Sequence, residues 1–189
     1  AWEHADIFWG DERWVPLESD ESNAGVALRT FLTKVPIPLE NVHPLFDPEL
    51  DQAQGSAVYQ ALIEEIVEPV DGVPAFDLIF LGMGEDGHTA SLFPFSPALA
   101  VRDRHVIPNF VEKLDTTRIT FSTTLINGAR DVVFLVTGSG KAERLKEVLE
   151  GPIETNQLPS QLIRPTHGTL RWLVDQGAAS QLSGGPFRE

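Results

Sequence analysis

Asp86-Gly87-His88 places a carboxylate and an imidazole one residue apart. Histidine titrates near neutrality, so its ring can take a proton from water, and a nearby carboxylate can orient that ring and stabilise the imidazolium. The plainer alternative is an aspartate that caps a turn beside a packed histidine. Two cationic groups stand in similar settings. Arg13 closes Gly10-Asp11-Glu12-Arg13 and offers a planar fork for phosphate or carboxylate; its alternative partner is Asp11 or Glu12. Lys141 closes Gly138-Ser139-Gly140-Lys141, a glycine turn before a helical stretch, where backbone amides and one ammonium can hold a sugar phosphate. The alternative there is a plain strand-to-helix turn with a solvated lysine.

Gly82, Gly84 and Gly87 match G-x-G-x-x-G, a weak dinucleotide signal on its own. The third glycine precedes a histidine, and no acidic residue ends a following strand about 20 residues on, so the dinucleotide reading is set aside. The three glycines read better as a tight turn that exposes backbone N–H groups near a helix start. His4, His43, His105 and His167 have no i, i+4 partner and there is no cysteine, which argues against a structural zinc site. Ser91 and Ser139 lack a nucleophile-elbow frame. The four tryptophans read as packing residues.

These groups need elements to position them. Asp6–Trp9 is apolar and β-prone. Ser22-Asn23 caps a helix with Val26, Leu28, Phe31 and Leu32 near helical spacing, stopped by Pro36 and Pro38. Asp51–Val67 is a second helix, with Val58, Ala61, Leu62 and Ile66 as its apolar stripe. Leu78–Leu81 is a buried strand leading into the glycine turn and a helix start. Leu99–Pro108 reads as irregular. Arg118–Ser122 is a strand, Thr123–Ala129 a short helix, Asp131–Thr137 an apolar strand and Ala142–Leu149 a helix. Thr169–Val174 is a last strand and Ala178–Leu182 a last helix. Apolar strands separated by helices predict an α/β fold with a mostly parallel sheet covered on both faces. Ligands bind beyond the carboxyl ends of such strands. The turns at 10–13, 82–88 and 138–141 all lie there.

With 189 residues and 42% apolar content the chain is long enough for one globular domain. No apolar run approaches the length of a membrane span, and no secretory signal opens the chain. The absence of cysteine excludes disulfides and thiol nucleophiles and fits a reducing, cytoplasmic setting. Net charge is −14, from 28 acidic and 14 basic residues. That field repels nucleic acid and anionic membranes, so an anionic small substrate requires a local cationic pocket. The plain reading of the acidity is a solvated surface suited to solubility or high salt.

Taken together, several stretches resemble the 6-phosphogluconolactonase family, within the glucosamine-6-phosphate isomerase/lactonase superfamily. They are Phe8–Pro16 with Ser22-Asn23, Gly82–Pro94, Arg118–Ser122 with Leu125-Ile126-Asn127, Phe134–Gly151, and the P-x-x-G-x-L-x-W pattern at Pro165–Trp172. The related deaminases share G-x-G-x-D-G-H but continue I-A-F-N-E-P, whereas here Thr89-Ala90-Ser91-Leu92-Phe93-Pro94 follows. The resemblance implies a carboxylic ester hydrolase in the oxidative pentose phosphate pathway. Its substrate is 6-phospho-D-glucono-1,5-lactone, its product 6-phosphogluconate, and no metal or organic cofactor is implied. Carried over by position, His88 is the general base, Asp86 orients it, and Arg13 and Lys141 bind the phosphate. Gly82, Gly84 and Gly87 shape the turn. The fold implied is Rossmann-like and three-layered. Family members begin with a further strand–helix segment carrying a Gly-Gly-Ser-Thr phosphate turn. The present sequence starts after it, so the expectation is an N-terminally incomplete lactonase domain over residues 1–182 and a loose tail over 183–189. An amino-sugar phosphate isomerase–deaminase and a non-catalytic sugar-phosphate binding module stay open as alternatives.

Overall fold

A computed structural model describes residues 2–184. In chain order the elements are β1 (Ile7–Phe8), β2 (Asp11–Arg13), α1 (Asn23–Thr30), β3 (Val42–His43), α2 (Gln52–Ile66), β4 (Pro69–Val70), β5 (Val73–Pro74), β6 (Ile79–Leu81), β7 (Val106–Val111), β8 (Thr116–Phe121), α3 (Thr123–Asn127), β9 (Asp131–Val136), α4 (Ala142–Glu150) and β10 (Thr169–Val174), with short 3₁₀ turns between them. Among the described residues no helix is long and apolar enough to cross a membrane.

The α/β class holds, but the sheets are mixed. β6, β9 and β10 form a parallel sheet in the order β10-β9-β6, and β1 pairs in parallel with β3. A second three-stranded sheet, β2-β8-β7, is antiparallel, and so is the small β4-β5 hairpin. The antiparallel sheet follows from its sequence. Thr116–Phe121 carries polar residues on one face and Ile119 and Phe121 on the other, the alternation of a sheet with one polar side. The Glu112–Leu114 turn and the left-handed Asp115 join β8 to β7 as a hairpin. β7 corrects the irregular reading of 99–108. Its Pro108 suits an edge strand, where a missing N–H breaks no ladder.

Three other expectations change. Residues 11–13 form a strand rather than a turn, because Glu12 alternates inward and is fully buried. The stripe on α2 sits one residue over: Tyr59 and Ile63 are buried while Val58 and Ile66 are exposed. Gly55 sets that rotation, since a Cβ there would lie 2.1 Å from the Trp14 ring, and the Tyr59 hydroxyl then receives the Trp9 N–H and donates to the His43 carbonyl. No helix follows the turn at 82–88. Thr89 and Leu92 form an isolated bridge instead, and Ala90 and Phe95 take positive φ of 46° and 60°. The helix expected at 178–182 is a 3₁₀ turn, Ala178–Gln181.

The helix caps are as the sequence implies. Ser22 Oγ accepts the Gly25 N–H, and Asp51 and Gln54 form a reciprocal capping box on α2. Leu81, Ile119, Phe121, Leu125, Phe134 and Leu145 share one core cluster, with Trp172 stacked on Phe134 at 3.9 Å. The other face of the parallel sheet is open: Phe80, Leu135 and Leu173 are roughly half exposed. Of the expected loose tail, Ser183 is tied by its N–H and Oγ to the Glu150 carboxylate. Residues 185–189 lie outside the described residues.

Candidate active site

β6 delivers the chain into the turn at 82–88, and close packing gives the turn its shape. A Cβ at Gly84 would sit 2.0 Å from Nδ1 of His88, so only glycine lets the ring lie against the backbone. Gly87 has φ +81°, a conformation open to glycine at little cost. Its carbonyl accepts both the N–H and Oγ–H of Ser160. Gly82 has neither a positive φ nor a crowding neighbour; it lines the cleft beside the turn. Three of the turn's amides are occupied: Gly84 N–H bonds to the His88 carbonyl, Gly87 N–H to the Gly84 carbonyl, and His88 N–H to Asp86 Oδ1. Those three groups are therefore not free for an anion.

Asp86 Oδ1 lies 2.5 Å from His88 Nδ1, and Asp86 Oδ2 receives the Lys113 ammonium. Partial burial raises the carboxyl pKa of Asp86, but the hydrogen bonds from Lys113 and His88 outweigh it and hold the group well below the ordinary carboxylate range. The His88 ring stacks on Phe93 with centroids 4.2 Å apart. Among the described residues its Nε2 has no hydrogen-bond partner. His88 lines a cleft of about 330 Å³ with Gly10, Asp11, Gly84, Ala90 and Lys141.

The polar face of the antiparallel sheet brings this turn to the Gly10–Arg13 block. Ser91 makes the join: its N–H donates to Thr120 Oγ1, its carbonyl accepts from Asn109 Nδ2, and its Oγ–H donates to Asp11 Oδ2 at 2.7 Å. Burial raises the pKa of Asp11 against the opposing pull of Ser91 and Arg13. Glu12 points to the other face. It accepts the N–H groups of Arg13, Asn23 and Ala24 and the Ser22 hydroxyl, which ties β2 to the start of α1.

The sequence-predicted residues are thus partly gathered. Asp86, His88, Lys141 and the three glycines meet at the turn and its cleft. Lys141 has no ion-pair partner among the described residues. In its own turn Asp175 takes the Gly138 N–H. Arg13 stands apart, two residues along β2 from Asp11 and on the same face. It pairs with neither Asp11 nor Glu12; its Nη1 donates to the Glu21 carbonyl at 2.5 Å. Arg102 is bound to the carbonyls of Leu99 and Val101, and Arg104 lines a different groove.

Sequence reasoning missed three residues. Arg118 on β8 lies directly opposite Arg13 on β2, so two like charges share one face. Its Nε is buried without a hydrogen-bond partner, and burial, then the Arg13 charge, lowers its pKa. The alternation of RITFS placed Arg118 on a polar face, but only strand pairing brings it to Arg13. Lys113 and Asp11 likewise depend on tertiary pairing. No three histidine, aspartate or glutamate side chains among the described residues are grouped to hold a metal ion.

An α/β fold whose strand ends gather a carboxylate–imidazole pair and several cations is the class defined by these observations. The family model described as glucosamine-6-phosphate isomerases/6-phosphogluconolactonase matches residues 1–172, and the chain belongs to that family. It is 42% identical over 182 residues to a 6-phosphogluconolactonase of Synechocystis sp., covering 96% of this chain and 75% of that protein. Among solved structures, 6-phosphogluconolactonase from Trypanosoma brucei superimposes with a TM-score of 0.79 at 28% identity, over 92% of this chain and 73% of that one. A monomeric glucosamine-6-phosphate deaminase shares the fold, with a TM-score of 0.75 at 18% identity over 90% of this chain and 72% of the other. The chain spans about three quarters of the length of these proteins.

Proposed function

We infer that this chain hydrolyses 6-phospho-D-glucono-1,5-lactone to 6-phosphogluconate, the ring-opening step of the oxidative pentose phosphate pathway. The identity to named 6-phosphogluconolactonases supports the reaction. The observation that carries the mechanism is the 2.5 Å bond from Asp86 to His88 Nδ1. It holds the ring with Nε2 free to accept a proton. Water attacks the lactone carbonyl as Nε2 takes its proton, giving a tetrahedral oxyanion. Collapse breaks the bond to the ring oxygen, and the imidazolium returns the proton to that leaving oxygen. Asp86 orients the ring and stabilises its charged form. Lys141, Arg13 and Arg118 supply the cations for the phosphate. For Arg13 and Arg118 the support is their shared face, since an anion between two guanidiniums relieves their repulsion.

The same reading treats residues 1–182 as one lactonase domain with a phosphosugar lactone as substrate and no nucleic-acid partner. It takes the two parallel strand sets as parts of a Rossmann-like three-layer sheet, supported by the apolar open face at Phe80, Leu135 and Leu173, since parallel sheets are covered on both sides. The cysteine-free composition supports a cytoplasmic setting. The test is accelerated lactone hydrolysis above a subtracted spontaneous blank. Ammonia release from glucosamine 6-phosphate instead, or binding of 6-phosphogluconate with no acceleration, would overturn the lactonase reading.

A further inference from the structure

One carboxylate in the site serves two partners. Asp86 gives Oδ1 to His88 and Oδ2 to Lys113. The same two partners also share an aromatic ring: His88 stacks on Phe93 at 4.2 Å, and the Lys113 ammonium lies 4.7 Å from the Phe93 centroid. Lys113 comes from a different part of the chain, the turn that joins β7 to β8. Its ammonium does not line the cleft that holds His88, Asp11 and Lys141. It lines a neighbouring groove of about 890 Å³ whose lining includes Asp86 and Phe93.

We propose that Lys113 is a positioning residue of the active site: by holding the second oxygen of Asp86 and sharing Phe93 with His88, it fixes the orienting carboxylate and sets an ammonium beside the ring. This rests on His88 acting as the base. The physical ground is competition and charge. A carboxylate shared with an ammonium offers less of its negative potential to an imidazolium, and the ammonium itself opposes a second cation beside the same ring. Other charges face the pair. Asp11 and Lys141 line the same cleft as His88, Arg144 donates to the Glu85 carbonyl and pairs with the Glu147 carboxylate, and Glu112 and Arg104 line the groove on the Lys113 side. Among the described residues none of these bonds to the Asp86 side chain, whereas Lys113 does.

The test uses the whole chain and two substitutions, Lys113→Met and Lys113→Arg. The Lys113 side chain is 53% exposed, so neither is expected to disturb folding. Two quantities are followed: the acid limb of the pH–kcat/KM profile for lactone hydrolysis, and the pH at which the His88 ring protons titrate by NMR. In Lys113→Met both move to higher pH, because a positive charge beside the ring is removed, with KM little changed. In Lys113→Arg both return toward the native position. If neither moves in a folded Lys113→Met, or if KM rises while the limb stays in place, the proposal is overturned. If the ring titration moves while the rate profile does not, the hold of Lys113 on His88 stands and the base role of His88 fails instead.

Discussion

Replacing Glu12 by glutamine tests whether the buried carboxylate, rather than mere burial of a polar chain, ties β2 to α1. Oε1 accepts the Arg13 and Asn23 N–H groups at 2.8 Å each; Oε2 accepts the Ala24 N–H at 2.8 Å and the Ser22 hydroxyl at 3.1 Å. Glutamine has one oxygen. If it stays at the Oε1 position, the Ser22 hydroxyl can turn and accept from the new NH₂ group, but the Ala24 N–H then faces a donor. Leaving that buried donor unmet costs about 1–3 kcal/mol. Losing a negative charge at the start of α1 adds about 0.3–1 kcal/mol. The expected loss is therefore about 1.3–4 kcal/mol, measured by equilibrium urea unfolding with the slope unchanged. Because the Arg13 guanidinium bonds to the Glu21 carbonyl just ahead of α1, KM for the lactone should rise as well. A Glu12→Gln protein within about 0.5 kcal/mol of native would refute the reasoning, since surface-like changes fall in that range.

Substituting His88 by alanine should lower kcat/KM for lactone hydrolysis by about 10²–10⁴-fold, the usual yield of a positioned base, and near-native turnover would remove it from the mechanism. Lys141→Met and Arg118→Met should each raise KM with little change in kcat, as expected for phosphate held equally in ground and transition states; a change confined to kcat would contradict that role. Asp86 has a depressed folded-state pKa, so its stabilisation is present above the ordinary carboxylate value and is lost as pH falls through the folded value. The native protein should thus lose more stability than Asp86→Asn below about pH 4; parallel acid unfolding curves would argue against a stabilising Asp86–Lys113 bond. If the net charge of −14 suits the chain to salt, unfolding midpoints should rise between low and molar salt, and a flat response would leave the acidity as plain surface solvation.

Local signals in the sequence carried the elements that have strong periodicity or caps. Ser22 and Asp51 start their helices where their side chains suggest, and Asp131–Val136 is the continuous apolar strand it reads as. What failed was decided by tertiary partners. The rotation of α2 depends on Trp14 packing against Gly55, forty-one positions away in neither pattern nor period. β7 hides behind Pro108, because a proline disqualifies a central strand but not the edge that β7 occupies. At the site, Asp86 and His88 were legible because one tight turn holds both. Arg118, Lys113 and Asp11 were not, because each reaches the site only through strand pairing or a side-chain bond across the sheet.

That division also bears on the proposed binding of an anionic sugar phosphate by an acidic chain. The chain's net field opposes a phosphate at long range, and salt screens it within about 10 Å. Recognition then depends on short-range cations that are not neutralised by carboxylates. Arg13 spends a guanidinium nitrogen on a carbonyl rather than on Asp11 or Glu12, and Glu12 is itself fully engaged by N–H and hydroxyl donors on the opposite face. Ser91 does the same for Asp11: by donating its hydroxyl to that carboxylate, it satisfies a negative group that lines the His88 cleft without an ion pair. The polar residues around the site therefore have a common effect. They occupy Asp11 and Glu12 with neutral donors, which under the proposed mechanism leaves Arg13, Arg118 and Lys141 available to the substrate, while Lys113 is bonded to Asp86.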